Sequence, residues 1–304
     1  MRRILIPLDG TAFGETILPD ARRVAGPDGE LILIKDASIL GRAGGADVAL
    51  RYERHRSRTQ ATDYLESVAT ILRSDGARVQ TYAVSVGDAA IAIDEAARRF
   101  HADMIACATH GRGVLGRLVW GSVARRALVC SPVPVLLRHI DEESPTPNGT
   151  DRVPRRILIP LDGSPQAERV LPLARQIGVE WDAELVLTQV ISHEWLSPVD
   201  RAKPASELSY LERIATTLPE RVEARLLVGP VADALVAAVK EWDITDVLMA
   251  SHGRTGLSRV ILGSVADGLV HRLHCPIVIV PALVPAKVTD EARQPQHSGS
   301  LVLS

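Results

Sequence analysis

Residues 2–11 read RRILIPLDGT, and residues 155–164 read RRILIPLDGS. Nine of the ten positions agree. In each copy an unbroken apolar run, Ile4-Leu5-Ile6 or Ile157-Leu158-Ile159, closes on Pro-Leu-Asp-Gly. Apolar residues at every position, rather than every second one, mark a strand covered on both faces, as in a parallel sheet. Asp-Gly after such a run is a turn signal. The chain therefore starts the same strand-and-turn unit twice.

A second stretch also returns. Residues 109–124 read THGRGVLGRLVWGSVA and residues 251–266 read SHGRTGLSRVILGSVA, with nine of sixteen positions identical. The opening stretches lie 153 residues apart, and the later ones lie 142 apart. Gly87 in SVGD and Gly229 in LVGP are also 142 apart. The repeats are collinear, and the first carries eleven more residues between its second and third strands. The excess maps near 41–60, GRAGGADVALRYERHRSRTQ, which reads as a flexible loop entering a helix with its arginines on a solvated face.

Strand and helix patterns alternate through both repeats. RILIPL, ELILIKD, ARVQTYAVS, DMIACAT and PVLLR read as strands of the first. TILPDARRVAG, TDYLESVATILRSDG, DAAIAIDEAARRF and GSVARRALVC read as the helices between them. The second repeat follows the same order. The expected fold class is α/β: two tandem five-stranded parallel-sheet Rossmann-like domains with helices on both faces. The domain reading is repeat 1 at 1–140, an acidic Pro- and Gly-bearing linker at 141–154, repeat 2 at 155–283, and a polar, disordered tail at 284–304.

Composition narrows the function classes. There are 35 basic and 37 acidic residues, a formal net charge of −2, and only 3% aromatics, so neither a basic face nor stacking platforms point to nucleic acid. Three cysteines, Cys107, Cys130 and Cys275, form no CxxC and read as small buried hydrophobes in a reducing compartment. MRRILIPLDG lacks the apolar core of a signal peptide, and no apolar run approaches the roughly 20 residues of a membrane span. The expectation is a soluble cytoplasmic chain.

Placed on this fold, the stretch at 109–124 starts at the carboxyl end of the fourth strand and ends in the next helix. In open α/β sheets ligands bind at carboxyl strand ends, near the point where strand order reverses. A helix start offers unpaired N–H groups to an anion, and glycine lets the backbone come close. Ser122 and Ser264 add a hydroxyl, and Arg112 and Arg254 add positive charge. The same residues also suit a plain scaffold, because serine is a common N-cap and glycine a common stop after a strand.

The Gly-x9-Gly-Ser spacing after a strand ending in Ala-[Ser/Thr]-His, together with ILIPLDG, resembles the universal stress protein family over both repeats, about 1–140 and 153–283. The chain resembles a tandem member. The family's pattern is G-x2-G-x9-G-[ST]. This sequence supplies its second glycine (Gly111, Gly253) and its Gly-Ser pair (Gly121-Ser122, Gly263-Ser264). At the first glycine it has Ala108 and Ala250. The resemblance implies ATP as ligand, with or without Mg2+. Its base would lie near Pro7, Leu8 and Asp9, or Pro160, Leu161 and Asp162. Asp9 and Asp162 suit either that role or capping of the helix starting at Thr11 or Ser164. The end of the second strand, Asp36 or Val190, would border the base, and Gly87 and Gly229 would approach ribose and phosphates unless they simply form tight turns. A buried carboxylate at Asp36 is costly without a partner, which favours the repeat 2 site. His110 and His252 read as structural, and Asp103 and Asp246 as turn or cap residues.

The implied function is an ATP-binding stress or signalling module with at most slow hydrolysis. No GxxxxGK[ST] occurs, and no carboxylate pair stands beside the loop to hold a metal for phosphoryl transfer. The alternatives are a weak ATPase, or a tandem scaffold for protein interaction that binds no nucleotide. The resemblance also suggests assembly through the last strand of each unit, PVLLR at 134–138 and PIVIV at 276–280, as an intrachain pseudo-dimer or a homodimer.

Overall fold

A computed structural model describes residues 2–37, 48–110, 127–128, 131–140, 155–191, 202–218, 221–252 and 262–281. Repeat 1 supplies β1 (Arg3–Pro7), β2 (Glu30–Asp36), β3 (Arg78–Val84), β4 (Met104–His110) and β5 (Val135–Ile140). Repeat 2 supplies β6 (Arg156–Pro160), β7 (Glu184–Ile191), β8 (Val222–Val228), β9 (Asp246–Ala250) and β10 (Ile277–Val280). All ten lie in one sheet, ordered β3-β2-β1-β4-β5-β10-β9-β6-β7-β8. Every neighbouring pair is parallel except β5 with β10, which is antiparallel.

The helices are α1 (Ala12–Glu15), α2 (Leu18–Ala25), α3 (Val48–Ser74) and α4 (Ala89–Arg99) in repeat 1. In repeat 2 they are α5 (Leu171–Glu180), α6 (Ala202–Ala215), α7 (Val231–Glu241) and α8 (Ser264–Val270). Alternate strand residues feed opposite cores. Ile4, Ile6, Leu31 and Leu33 pack with Leu65 and Ala69 of α3. Leu5, Ile32 and Ile34 pack with Ile93, Ala96 and Ala97 of α4. This two-sided burial is the physical cause of the unbroken apolar runs.

Two expectations are corrected here. The segment 41–60 is not a loop throughout: α3 begins at Val48, since from there on the chain lacks Gly and Pro and is rich in helix-forming Ala, Leu, Arg and Gln. TILPDARRVAG, 16–26, holds one helix as expected, but the repeat 2 stretch ERVLPLARQIG, 168–178, does not. Pro19 has no N–H to donate, so it sits in the first turn of a new helix, α2, after α1 has ended at Glu15. Pro172 does the same for α5, which follows a 3-10 turn at Ala167–Val170.

The two halves meet where β5 and β10 pair. Leu137 faces Ile277, Leu136 faces Val278 and Val135 faces Ile279, so both last strands have their edges occupied within one chain. Polar contacts reinforce the seam. Arg23 of α2 holds Asp246 of β9 with two hydrogen bonds, 2.7 and 3.1 Å. Arg2 pairs with Glu180, and Arg155 donates to the Arg23 carbonyl at 2.9 Å; within the halves, Arg138 of β5 holds Asp20 of α2 at 2.8 Å and the Arg155 guanidinium lies 3.8 Å over the Trp181 ring. Asp246, 1% exposed, is therefore neither a turn nor a cap residue but half of an ion pair between repeats. Asp103 keeps a local role, accepting the Arg3 N–H at 2.7 Å.

Candidate functional site

β1 lies between β2 and β4, and β6 between β7 and β9, so strand order reverses beside β1 and β6. Pro7 and Pro160 end those strands, in register with Ile34 and Thr188. Leu8 and Leu161 are buried, their N–H groups donating to Ile34 and Thr188 carbonyls at 2.8 Å each. The next residue is the carboxylate. Thr11 donates its backbone N–H (2.9 Å) and its hydroxyl (2.6 Å) to Asp9 Oδ1. Thr11 Oγ1 in turn accepts the Gly14 N–H at 3.1 Å and caps α1. Repeat 2 repeats the device: Ser164 donates to Asp162 Oδ1 at 3.0 and 2.6 Å, and Ser164 Oγ accepts the Ala167 N–H at 3.2 Å. The aspartates therefore do not cap the helices themselves; each holds the Thr11 or Ser164 hydroxyl that does.

At the neighbouring strand ends the copies differ. Asp36 closes β2, Val190 is the last residue but one of β7, and both are half-buried. Lys35 precedes Asp36. Its ammonium donates to the Asp9 carbonyl oxygen and lies 5.3 Å over the Tyr64 ring. Partial burial pushes the Lys35 pKa down, while Asp9 and Asp36 oppose that fall. Asp36 therefore sits in the field of a cation, and the expected cost of an isolated buried carboxylate does not apply. In repeat 2 the corresponding Gln189 is buried and donates to Glu207 Oε2 at 2.8 Å.

Gly87 and Gly229 follow β3 and β8 with φ of 85° and 129°. Those values lie in the region that favours glycine, so the backbone needs glycine at both positions whatever they face. Ala108 and Ala250 belong to extended β4 and β9. Among the described residues, only His101, Asp182 and Asp243 combine a side chain with positive φ. Alanine at the family's first glycine position therefore carries no backbone strain.

Gly111, Arg112, Gly121, Ser122, Gly253 and Arg254 lie outside the described residues, so the loop is seen only at its closing end in repeat 2. There Gly263 donates its N–H to the Ser251 carbonyl at 2.9 Å, which ties the start of α8 to the end of β9. A Cβ at Gly263 would stand 3.1 Å from that oxygen. Gly263 is the N-cap, so Ser264 is already inside the helix and its hydroxyl does not cap it. His252 Nδ1 meets Ser251 Oγ at 3.0 Å, and its buried Nε2 has no partner among the described residues.

A further pair escapes motif reading. Tyr64 Oη donates to Glu15 Oε1 at 2.8 Å, and Tyr210 Oη to Glu168 Oε1 at 3.0 Å. The signal was present as YLESVAT at 64–70 and YLERIAT at 210–216. Among the described residues no group of three or more His, Cys, Asp or Glu is arranged to hold a metal, and no helix is long and apolar enough to cross a membrane.

An α/β sheet built twice, with capped carboxylates at its two order-reversal points, defines a class of tandem α/β protein. The profile of the universal stress protein family matches residues 1–139 and 154–281, and the chain belongs to that family. A universal stress protein of Methanocaldococcus jannaschii is 27% identical over 138 residues, 41% of this chain and 81% of the relative. One from Mycobacterium tuberculosis is 28% identical over 191 residues, 59% of this chain, and the match spans only 61% of that relative's length. The crystal structure of a universal stress protein from Archaeoglobus fulgidus superposes with a TM-score of 0.72 at 20% identity, covering 92% of this chain and 98% of that one.

Proposed function

We propose that this chain is an ATP-binding stress-response module of the cytoplasm, with one nucleotide site in each half and at most slow hydrolysis. The observation that carries the reading is the retained constellation at the β1 and β6 ends: Pro-Leu-Asp followed by a Thr or Ser cap, with matching distances in both halves. Membership of the family supports it, as do the Gly-x9-Gly-Ser spacings. The glycine N-cap of α8, tied by its N–H to the end of β9, leaves the helix start free of a capping side chain, which is compatible with a ligand there.

In this reading Pro7, Leu8 and Asp9, or Pro160, Leu161 and Asp162, face the base, with Asp36 or Val190 on its border. Gly87 or Gly229 lies toward the ribose. Ala108, Gly111, Arg112, Gly121 and Ser122, or Ala250, Gly253, Arg254, Gly263 and Ser264, surround the phosphates. ATP, accompanied by Mg2+, brings the charge that Arg112 and Arg254 meet. In this reading the residues bind and orient the nucleotide rather than react with it.

The test is the nucleotide content of the purified chain, released by acid and separated by chromatography, followed by titration with ATP with and without Mg2+. Two adenine nucleotides per chain is the expected result. One would restrict the reading to a single half. None, with no uptake of added ATP, would leave the protein-interaction scaffold in its place.

A further inference from the structure

One polar connection is built twice behind the candidate loops. In repeat 1 it runs from Asp9 through the Thr11 cap into α1, then from Glu15 to Tyr64 of α3. In repeat 2 it runs from Asp162 through Ser164 into the 3-10 turn, then from Glu168 to Tyr210 of α6. The surroundings have diverged. Phe13-Gly14 stands where repeat 2 has Gln166-Ala167, Lys35 faces Gln189, and Asp36 faces Val190. Even the backbone carrying the glutamate differs, an α-helical turn in one half and a 3-10 turn in the other. The tyrosine-carboxylate bond is the same in both.

Stability alone is a weak reason for such retention. Both tyrosines are half-buried, and a hydroxyl there would find water if the glutamate were lost. The net gain from one such bond is about 1 kcal/mol. Desolvation first, and then the glutamate bond, raise both tyrosine pKa values, so each hydroxyl stays a protonated donor at neutral pH.

We propose that Tyr64 and Tyr210 are positioning residues for the two nucleotide loops. Each clamps the segment after β1 or β6, through Glu15 or Glu168, in the shape that presents the strand-end backbone and Asp9 or Asp162 to the ligand. The proposal rests on the ATP reading above.

The test is calorimetric titration of the full chain with MgATP after removal of copurified nucleotide, with a thermal melt of each variant. Tyr64→Phe/Tyr210→Phe is expected to weaken ATP about fivefold at both sites, the equivalent of one lost bond of ~1 kcal/mol. Glu15→Gln/Glu168→Gln, whose amide oxygen accepts the same bond, is expected to stay near wild type. The melting point of either variant is expected to move by only about 2–4 °C. A wild-type chain that takes no ATP overturns the nucleotide reading and this inference with it. Wild-type binding matched by the Phe pair overturns this inference alone. So does a Gln pair that binds as poorly as the Phe pair, since the bond would then not be what was lost.

Discussion

The two halves of this chain share a fold and a capped aspartate but face each other with unlike chemistry. Repeat 1 brings Asp20, Arg23 and Arg138 to the seam; at the matching positions repeat 2 has Leu173, Gln176 and Val280. Repeat 2 brings Asp246, where repeat 1 has Met104. The aliphatic pairing of β5 with β10 would suit any two copies of the unit. The charges would not. Two copies of repeat 2 would bury two Asp246 carboxylates with no Arg23 to meet them, and a buried charge without its partner is heavily penalised. The difference teaches that the two units kept the same turn after their first strand while the seam became specific for unlike halves.

The largest effect should come from breaking that asymmetry. Asp246→Ala leaves Arg23 facing no carboxylate from repeat 2, and Arg155, whose pKa burial and the nearby Arg23 already push down to about 10, loses the same counter-charge. A loss of about 3–5 kcal/mol is expected in denaturant unfolding. The double variant Arg23→Met/Asp246→Leu removes both charges and fills the space, and should recover most of that loss. A double variant as unstable as the single one would show that the pair does more than neutralise itself.

The strand pairing of the seam follows the expectation for PVLLR and PIVIV, but its charges were not legible in the sequence, and the reason is physical. Arg23 and Asp246 are 223 residues apart, and a charge does not announce its partner. Asp246 opens a strand, where turn and cap roles are commoner than an ion pair to another domain. The strands were legible because burial on both faces writes itself into consecutive residues such as Ile4-Leu5-Ile6. The start of α3 was misread because Gly41, Gly44 and Gly45 outweighed the helix formers that follow. The turn at Asp9 and Asp162 was half legible: Asp-Gly marks it in the sequence, while the bonds that Thr11 and Ser164 donate back to the carboxylates are seen only in the structure. The Tyr64–Glu15 bond needed knowledge that α3 brings Tyr64 to α1, 49 residues away in the chain.

A second prediction separates the halves at the loop. Gly263→Val places a branched side chain where a Cβ alone would be 3.1 Å from the Ser251 carbonyl, in the segment expected to approach phosphate. In a Gly121→Val background, ATP affinity is expected to fall about 100-fold or more, ~2.7 kcal/mol. Gly263→Val alone should leave one nucleotide per chain. Unchanged affinity in the double variant would remove Gly263 from the site.

The smallest effect sharpens the comparison at the base end. Val190 and Asp36 occupy matching strand ends, but only Asp36 has the Lys35 ammonium near it. Val190→Asp brings a carboxylate into repeat 2 beside neutral Gln189, whose amide is already engaged with Glu207. Without a neighbouring cation the new charge must be desolvated by any ligand that covers it. ATP affinity at repeat 2 should fall about tenfold, ~1.4 kcal/mol, in the Gly121→Val chain. Adding Gln189→Lys supplies the missing cation and should restore several-fold of that loss, converting the strand end of repeat 2 into that of repeat 1. If the lysine restores nothing, the two halves differ in how they meet the base, and Lys35 serves the Asp9 turn rather than Asp36.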